Sequence, residues 1–472
     1  METKSLKYHS SILICFVVIN ILCGCKKFIE ADTPVTSTNS ANVYNENSTA
    51  AGVLTGIYAK MSSRFAFNDI TSISAYVDLS ADNLSLFDTS NATYFSFYQN
   101  ALLSQSSPYW NNLYTYVYYA NAAIEGLKNS ATLTPAVKQR ALGEAYFIRA
   151  FCYYYLVTLH GDVPLVLTTD YAVNASLTRS PVNDVLSQIM NDLELAKQLL
   201  DARYVDATLL NTGTDRVRPN ANAARALLAR VLLLKKDFAG AEREATEIIS
   251  QTGIYTLSAL NGVFLKNSSE TIWALQPTKT NVNTDEGNLF IPPAGGLGAL
   301  NPFILSTDLL NAFEAGDNRK MSWTAAITQG GKTYNYPFKY KIKTNSTITE
   351  FTIVLRLAEQ YLIRAEARAE LNNIPGAQSD LNAIRSRAGL GSTTAGNIAD
   401  LKTAILREKR VEMFTEWGER WLDLKRSGNI DAVMTAYGPA KGIQWKPHMS
   451  LFPVLQADIL TNNQITQNPG YN

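Results

Sequence analysis

Apolar residues recur along most of the chain with the three-to-four-residue spacing of an amphipathic helix. In 182–200 this stripe follows Ser180 and Pro181, a pair typical of a helix start. The same spacing predicts further helices at 108–128, 137–159, 220–235, 239–250, 356–371, 376–388 and 398–426. Strand-like segments are few and short, such as 271–275 and 352–355. The pattern therefore predicts a mainly α-helical protein.

Aromatic residues on these helices are predicted to lie in the core, because an apolar helical face has to pack against something. They are Trp417, Trp421, Tyr114, Tyr118, Tyr146, Tyr153, Tyr154 and Tyr155. Cys152, in the middle of the tyrosine run, is assigned to the core with them.

Two helical hairpins of the chain are similar to each other. Residues 235–248 can be laid over 371–384, so that Ala241 coincides with Ala377. Each hairpin has a small residue where two helix backbones come close, as in the tetratricopeptide helix–turn–helix unit. Two ordinary helical hairpins are the alternative. Because a long stretch separates them, we expect tetratricopeptide-like pairs with long irregular insertions rather than a regular solenoid.

The two longest segments without helical periodicity are candidates for binding. Residues 62–107 and 252–350 are rich in Asn, Ser, Thr and Gly and contain scattered aromatic residues. Loops of such length are uncommon in compact proteins unless they bind something. A ligand site is therefore predicted in these two insertions.

The N-terminus has the pattern of an export signal. Two lysines precede an apolar run at 11–22, which is too short for the roughly 20 residues of a membrane-spanning helix. The following Cys23-Gly24-Cys25 resembles a lipoprotein box, so we predict removal of 1–24 and lipidation of Cys25. An ordinary signal peptide with an incidental cysteine is the alternative. The polar residues 25–50 are predicted to form a lipid-anchored tether and N-terminal arm.

Charge and residue counts argue against several classes of function. The chain has 42 Lys+Arg and 41 Asp+Glu, so no strong positive field would attract nucleic acid. Beyond the predicted signal, Cys25, Cys152 and two histidines offer no disulfide framework, zinc cluster or evident His-dependent triad. We predict no metal, no cofactor and no enzymatic activity.

Glycosidases use two carboxylates, and the chain contains one candidate pair. Glu412 and Glu416 are four residues apart on the predicted helix 398–426. Structural ion pairing is the favoured interpretation, since Glu416 also precedes Arg420 by four residues, a favourable arrangement on one helix.

Five blocks of the chain together resemble the SusD/RagB family of outer-membrane nutrient-binding lipoproteins. They are WNNLYTYVYYANAAIEGL (110–127), GEAYFIRAFCYYYLVTLHGDVPLV (143–166), LRLAEQYLIRAEARAELNN (355–373), LREKRVEMFTEWGERWLDLKRSG (406–428) and the tail LFPVLQADILTNNQITQNPGYN (451–472). Their order and the terminal Gln467–Tyr471 make the resemblance specific over nearly the whole mature chain.

This resemblance implies a helical lipoprotein on the cell exterior that caps a SusC-like TonB-dependent β-barrel transporter. Such a protein binds an oligomeric nutrient, usually an oligosaccharide, without breaking bonds. It also implies an N-terminal helical region at 51–251 and a C-terminal region at 252–472, in which 252–350 is the variable insertion on the ligand side. Peptide capture, as in the RagB branch, glycoside hydrolysis and a purely structural role are the alternatives.

Within the insertions, two clusters combine aromatic rings, which stack on the CH groups of sugars, with polar groups for the hydroxyls. The first contains Asp82, Asn83, Phe87, Asp88, Asn91, Tyr94 and Phe95, and the second contains Asn318, Arg319, Trp323, Tyr334, Asn335 and Tyr336. Trp323 is the leading candidate for stacking, followed by Phe87 and Tyr94, with local packing as the alternative for each. Asp82 and Asn83 could instead cap a turn or face the transporter.

Overall fold

The computed structural model describes residues 42–63 and 73–471, except for the side chains of Ser63 and Pro108. The predicted signal peptide at 1–24 and the lipidation site Cys25 lie outside these residues, as does most of the predicted tether.

Helices make up most of the described residues. The α-helices are α1 (Asn47–Ser63), α2 (Ile73–Ser80), α3 (Ala92–Tyr98), α4 (Pro108–Asn129), α5 (Pro135–His160), α6 (Tyr171–Asn174), α7 (Val182–Leu199), α8 (Ala221–Leu234), α9 (Phe238–Ile249), α10 (Asp285–Phe290), α11 (Thr307–Ala312), α12 (Asn318–Trp323), α13 (Leu357–Glu370), α14 (Ile374–Arg387), α15 (Ile398–Met413), α16 (Glu419–Arg426), α17 (Ile430–Lys441) and α18 (Gln456–Thr461).

The strands are short and pair in twos. They are β1 (Leu84–Leu86), β2 (Val163–Pro164), β3 (Arg179–Ser180), β4 (Thr271–Leu275), β5 (Phe303–Leu305), β6 (Thr324–Gln329), β7 (Lys332–Pro337) and β8 (Thr352–Arg356). Four antiparallel two-stranded sheets result, in which β1 pairs with β5, β2 with β3, β4 with β8, and β6 with β7. The predicted class, mainly α with a few short strands, is confirmed.

The predicted helices are present except for one, and the other differences lie between the helices. The segment expected to be a single helix at 398–426 is two helices, α15 and α16. The last residues of the predicted tether belong to α1, which packs on α4 and α5. Within 62–107, the short helices α2 and α3 pack against each other despite their lack of periodicity.

The helices pack one against the next in a continuous row. Helix α4 packs on α5, α5 on α7, α7 on α8, α8 on α9, α9 on α13, and α13 on α14. Residues 250–356 leave this row after α9 and return to it at α13. The two predicted hairpins are therefore neighbours in space, although a long insertion separates them in the sequence.

The two hairpins also share the geometry of their turns. Lys236 and Asn372 occupy the equivalent turn position with the same φ of 61°. The next residues, Asp237 and Asn373, each accept a hydrogen bond from the backbone N–H three positions on, at 2.9 and 3.0 Å, and so cap the second helix. The residue three positions on is glycine in both, and a Cβ there would lie 2.6 Å from the capping side chain. The tetratricopeptide-like repeat thus extends to its capping residues.

The main hydrophobic core runs continuously from Ala50 to Ile465. It crosses the predicted boundary between residues 251 and 252, so the two regions share one core. Cys152 and most of the aromatic residues assigned to it are buried, as predicted. Tyr118 is an exception, because 52% of its surface is exposed on α4.

A sharp break separates α15 from α16. Thr415 and Trp417 have φ values of 53° and 49°, and Gly418 follows at 72°. Side chains of α2 stabilise this turn: the Asp78 carboxylate accepts from the backbone N–H of Thr415 at 2.5 Å, and the Ser74 hydroxyl accepts from that of Trp417 at 3.3 Å. Tertiary contacts therefore interrupt a segment whose apolar spacing is helical.

The C-terminal tail is tied to the end of α5. The amide nitrogen of Asn468 donates to the backbone oxygens of His160 and Phe452, both at 2.8 Å. The hydroxyl of Tyr471 donates to the backbone oxygen of Leu451 at 2.8 Å. These contacts give the terminal Gln467–Tyr471 segment a structural role.

Candidate functional site

The two predicted aromatic clusters meet at the protein surface. The rings of Phe87 and Tyr334 contact each other edge to face, with their centroids 5.1 Å apart. The ring of Tyr336 packs in the same manner against Phe338, at 5.9 Å. All four side chains are partly exposed. We call these four residues the aromatic patch.

A tight hairpin presents the tyrosines of the patch. Strands β6 and β7 are joined by Gly330 and Gly331, whose φ values of 59° and 74° suit the two-residue turns that hairpins favour. Side chains two residues apart point to the same face of a strand. Lys332, Tyr334 and Tyr336 therefore lie on one face of the hairpin.

A second two-stranded ribbon positions Phe87. Strand β1 pairs with β5, so that Leu86 lies opposite Phe303. The pairing continues one residue further, where the backbone N–H of Phe87 donates to the oxygen of Pro302 at 2.7 Å. Because β5 also packs against β7, the ribbon and the hairpin bring the two insertions together.

The two insertions that carry the rings also carry polar groups. The ammonium group of Lys332 lies 5.3 Å from the centre of the Tyr334 ring, within cation–π range. Asn91 accepts a hydrogen bond from the backbone N–H of Tyr94 at 3.1 Å through its side-chain oxygen, which leaves the amide nitrogen as a donor. Burial raises the pKa of Tyr336, so its hydroxyl stays neutral. The surface thus combines apolar ring faces with neutral hydrogen-bonding groups.

Trp323 lies in the core and not in the patch. None of its surface is exposed. Its indole N–H donates to the backbone oxygen of Leu260 at 3.0 Å, and the ammonium group of Lys339 lies 4.8 Å from the ring centre. The prediction that Trp323 stacks on a sugar is therefore wrong, because no face of its ring reaches solvent.

Arg319 is equally enclosed. Its guanidinium pairs with the carboxylates of Asp317 at 2.8 Å, Glu408 at 2.7 Å and Glu412 at 2.9 Å. These three partners occupy the donors that a ligand would need. The predicted ligand contact of Arg319 is wrong, and the side chain instead joins α12 to α15.

Asp82 and Asn83 are buried and serve the packing of β1 against α15 and α16. The Asp82 carboxylate pairs with Arg420 at 2.7 Å and with Arg410 at 3.0 Å. The side-chain oxygen of Asn83 accepts from Arg410 at 3.0 Å. Neither side chain is presented to a ligand, so both ligand predictions are wrong.

Tyr94 packs in the core and is not part of the patch. Its ring packs against Phe303 at 4.9 Å and Tyr76 at 5.6 Å, and the side chain is buried. The predicted stacking role of Tyr94 is therefore wrong as well. Of the eight ligand residues chosen from the sequence, Phe87, Asn91 and Tyr336 lie at the surface, and their contact with a ligand stays a prediction.

Two residues of this surface were not identified from the sequence. They are Lys332 and Phe338, which lie on either side of the predicted Tyr334, Asn335 and Tyr336 along the chain. The alternation in Lys332–Pro337, with lysine and two tyrosines at every second position, is the signal that indicates a shared face. Phe338 carries no comparable signal, since it follows the strand.

Glu412 lies in a buried network of arginines. Burial by itself would raise the pKa of Glu412, but the guanidiniums of Arg387, Arg356 and Arg319 outweigh it and hold the pKa well below the usual range. A general acid needs a carboxyl that is protonated near neutral pH. Glu412 is therefore suited to structural pairing, as predicted.

Glu416 joins the same network by a different route from the one expected. It pairs with Arg356 at 2.7 Å and with Lys339, whereas Arg420 pairs with Asp82. The predicted pair between Glu416 and Arg420 is wrong, because the break between α15 and α16 removes the helical geometry it depends on.

Neither a membrane-spanning helix nor a metal centre occurs within the described ranges, 42–63 and 73–471. No helix there has both the length and the apolar composition to cross a membrane. No group of three or more His, Cys, Asp or Glu side chains there is arranged to hold a metal ion.

Two protein-family models match parts of the chain. A model described as the SusD family matches residues 306–471. A second, described as "Starch-binding associating with outer membrane", matches residues 27–233. Together they leave residues 234–305 unmatched, a range that includes the first part of the long insertion.

Individual relatives and solved structures agree with these matches. SusD-like protein P2 of Formosa agariphila is 27% identical over 430 residues, covering 77% of this chain and 80% of that protein. Surface glycan-binding protein A from Bacteroides fluxus has a similar fold, with a TM-score of 0.74, 21% identity and coverage of 90% and 99%. A laminarin-binding SusD-like protein gives a TM-score of 0.71, 20% identity and coverage of 90% and 98%.

Proposed function

Because the chain belongs to the SusD/RagB family, we propose that it is a glycan-binding lipoprotein of the cell surface. Its ligand is an oligosaccharide that lies across the aromatic patch. The protein holds this ligand without breaking bonds and passes it to a TonB-dependent β-barrel transporter of the SusC type.

The observation that carries this proposal is the meeting of the two insertions at Phe87 and Tyr334. Aromatic rings bury a large apolar area at little conformational cost, and sugars offer CH groups to such rings. The tyrosine hydroxyls of the patch can serve sugar hydroxyls, and Asn91, four residues after Phe87, offers a further amide donor. Pairing of β1 with β5 and of β6 with β7, together with the contact between β5 and β7, holds the patch in place, which limits the entropy lost on binding.

Glycan is favoured over peptide as the ligand by what is known of similar proteins. One structural neighbour binds laminarin and another is a surface glycan-binding protein. The family model over the N-terminal part refers to starch binding. Peptide capture remains the second candidate for the binding assay to test.

A surface location and a transporter partner complete the proposal. The family description refers to association with the outer membrane. Lipidation at Cys25 would supply the attachment, since acyl chains add about 0.8 kcal/mol for each buried methylene. The polar residues after Cys25 would then separate the folded part from the lipid.

A binding screen tests the ligand and the patch together. The mature chain carrying Cys25→Ser is titrated with neutral and acidic oligosaccharides and with peptides by isothermal calorimetry. We expect Phe87→Ala and Tyr334→Ala each to weaken glycan binding about tenfold, equal to about 1.4 kcal/mol. Tyr171→Ala is the matched control, because Tyr171 is 84% exposed on α6 and outside the patch.

The outcomes separate the alternatives. A glycan whose affinity is unchanged by Phe87→Ala and Tyr334→Ala would reject the patch but keep the function. Binding of peptides alone would favour the peptide-capturing alternative. New reducing ends after incubation with a bound glycan would make the protein a glycosidase and overturn the proposal.

The partner and the location are tested in cells. Native protein extracted with detergent should bring down a large β-barrel protein, and labels that do not enter intact cells should reach it. The Cys25→Ser variant, which cannot be lipidated, should no longer be recovered in the membrane fraction. Recovery of the lipidated protein without any β-barrel would contradict the transporter proposal.

A further inference from the structure

A polar cavity lies close to the buried end of β1. Helices α11, α15, α16 and α17 contribute to its wall, and its volume is about 580 Å³. Three guanidiniums line it, those of Arg407, Arg410 and Arg420. Asp308 and Asp423 are the acidic residues of the lining.

The acidic groups of the cavity do not neutralise the positive charge of its three arginines. Asp423 is already paired with Lys409 at 2.7 Å and Arg426 at 2.6 Å. Asp82, behind the cavity wall, is the shared partner of Arg410 and Arg420. The guanidiniums of Arg410 and Arg420 therefore share one ion-pair partner, the Asp82 carboxylate.

Arg407 adds a third positive charge, and the Glu314 carboxylate, which interacts with it electrostatically, is already paired with Arg385 at 2.7 Å. The Nε and Nη2 of Arg407 both donate to the backbone oxygen of Ala312 at 3.2 Å, and no ion pair of Arg407 is found within the described residues. With Asp308 as the remaining acidic group of the lining, the charge of the cavity stays positive. Burial lowers the pKa of Arg410, and the nearby Arg420 lowers it further against the opposite effect of Asp82.

Each arginine also keeps a donor for a ligand. Arg410 uses Nε and Nη2 for Asn83 and Asp82, and Arg420 uses the same two nitrogens for Asp82. Among the residues the structure describes, Nη1 of these two arginines and of Arg407 makes no hydrogen bond. The side chains are thus held in place while one nitrogen of each stays unused, which is the preorganisation that anion binding requires.

We propose that this arginine cavity binds an anionic substituent, a carboxylate or a sulfate group, carried by a sugar of the ligand. The assignment to a sugar rests on the proposed glycan-binding function, whereas the anion site itself rests on the three arginines. Asp82 and Phe87, which flank β1, are five residues apart, and an extended chain of that length spans at most about 17 Å. This short span brings the residue behind the cavity wall close to the patch, and the proposal is that one oligosaccharide reaches both.

Matched oligosaccharides test the proposal. Arg407→Gln is the informative variant, because Arg407 is exposed and pairs with no carboxylate, so its loss leaves the core intact. Arg243→Gln is the control, since Arg243 has a side chain 62% exposed on α9. We titrate each protein with neutral glucan, uronate-containing and sulfated oligosaccharides of equal length.

Arg407→Gln should weaken binding of the acidic oligosaccharides about five- to tenfold and leave the neutral one unchanged. Arg243→Gln should change neither. Added NaCl should weaken only the acidic ligands, by screening. Preference for uronate or for sulfate identifies the source of the anion. Equal affinity of wild type for acidic and neutral oligosaccharides would overturn the proposal, and selective binding of acidic peptides would overturn its assignment to a sugar.

Equilibrium dialysis with labelled inorganic sulfate separates this proposal from the glycan-binding function. Wild type and Arg243→Gln should retain sulfate, and Arg407→Gln should retain several-fold less. If no glycan binds but this pattern holds, the proposed function fails and the anion site stands. If wild type retains no sulfate, or Arg407→Gln retains as much as wild type, the anion site is wrong whatever the glycans do.

Discussion

Replacing Asp82 by asparagine distinguishes a packing role from a ligand role for a residue that the sequence places in a binding cluster. The Asp82 carboxylate accepts two hydrogen bonds from Arg420, at 2.7 and 2.8 Å, and pairs with Arg410 at 3.0 Å. Asparagine keeps the shape of the side chain but removes its charge. Two guanidiniums would then lie in a mostly buried site without a carboxylate.

The expected loss of stability follows from this geometry. Removing one partner of a buried ion pair costs about 3–5 kcal/mol, because the remaining charge stays desolvated. The side chains of Arg410 and Arg420 are 13% and 12% exposed, so water relieves part of the cost. We therefore expect Asp82→Asn to lower the free energy of unfolding by about 3 kcal/mol, the lower end of that range.

Urea denaturation followed by circular dichroism measures this loss, with glycan titration of the same variant below its transition. Asp88→Asn is the control, since Asp88 lies in the same segment and, among the residues that the structure describes, its carboxylate bonds with the neighbouring Ser90 alone. We expect Asp82→Asn to bind a neutral glycan with wild-type affinity while folded, since the aromatic patch does not include Asp82. A loss of stability no greater than that of Asp88→Asn, together with lost glycan binding, would refute the packing role.

Three further predictions concern the core and the repeat. Burial lowers the pKa of His160 to about 3, so the unfolded chain takes up this proton first as the pH falls below 6.5. The free energy of unfolding should then fall by up to about 1.4 kcal/mol per pH unit down to about pH 3, and His160→Gln should remove this part of the slope in urea titrations. Trp323→Phe should cost about 1–3 kcal/mol, because the bond to the Leu260 oxygen is lost, without changing glycan affinity in calorimetry. Asn373→Ala and Asp237→Ala should each cost about 1 kcal/mol in urea denaturation through loss of equivalent caps.

Three results would contradict these predictions. An unchanged pH slope in His160→Gln would mean that other groups account for acid unfolding. Weaker glycan binding by a stably folded Trp323→Phe would return that ring to the ligand site. Unequal losses for the two caps would argue against the equivalence of the hairpins.

Local sequence was sufficient for the long helices. The apolar spacing that predicts 182–200 and 220–235 is realised in α7 and α8 within a residue or two at each end. Such spacing records which face of a helix packs, and it is contained within neighbouring residues. The resemblance of five blocks to the SusD/RagB family could be found for the same reason, since these blocks lie mainly on the helical frame.

Local sequence failed where partners distant in the chain decide the backbone. The segment 398–426 reads as one helix, yet Asp78 and Ser74 take the backbone N–H groups of Thr415 and Trp417 and stabilise a turn. Nothing in the spacing of apolar residues records those bonds. The same limit applies to α2 and α3, whose short lengths leave too few turns for a periodic signal.

For the candidate site, the sequence determined which residue types were present, and the tertiary structure decided which of them reach solvent. Phe87 and Tyr336 are partly exposed, whereas Trp323 is enclosed beside Lys339. Ring type and loop composition are the same in both cases. The difference arises because exposure depends on neighbours that arrive from other parts of the chain, while helix formation depends on hydrogen bonds and side-chain spacing within a few turns.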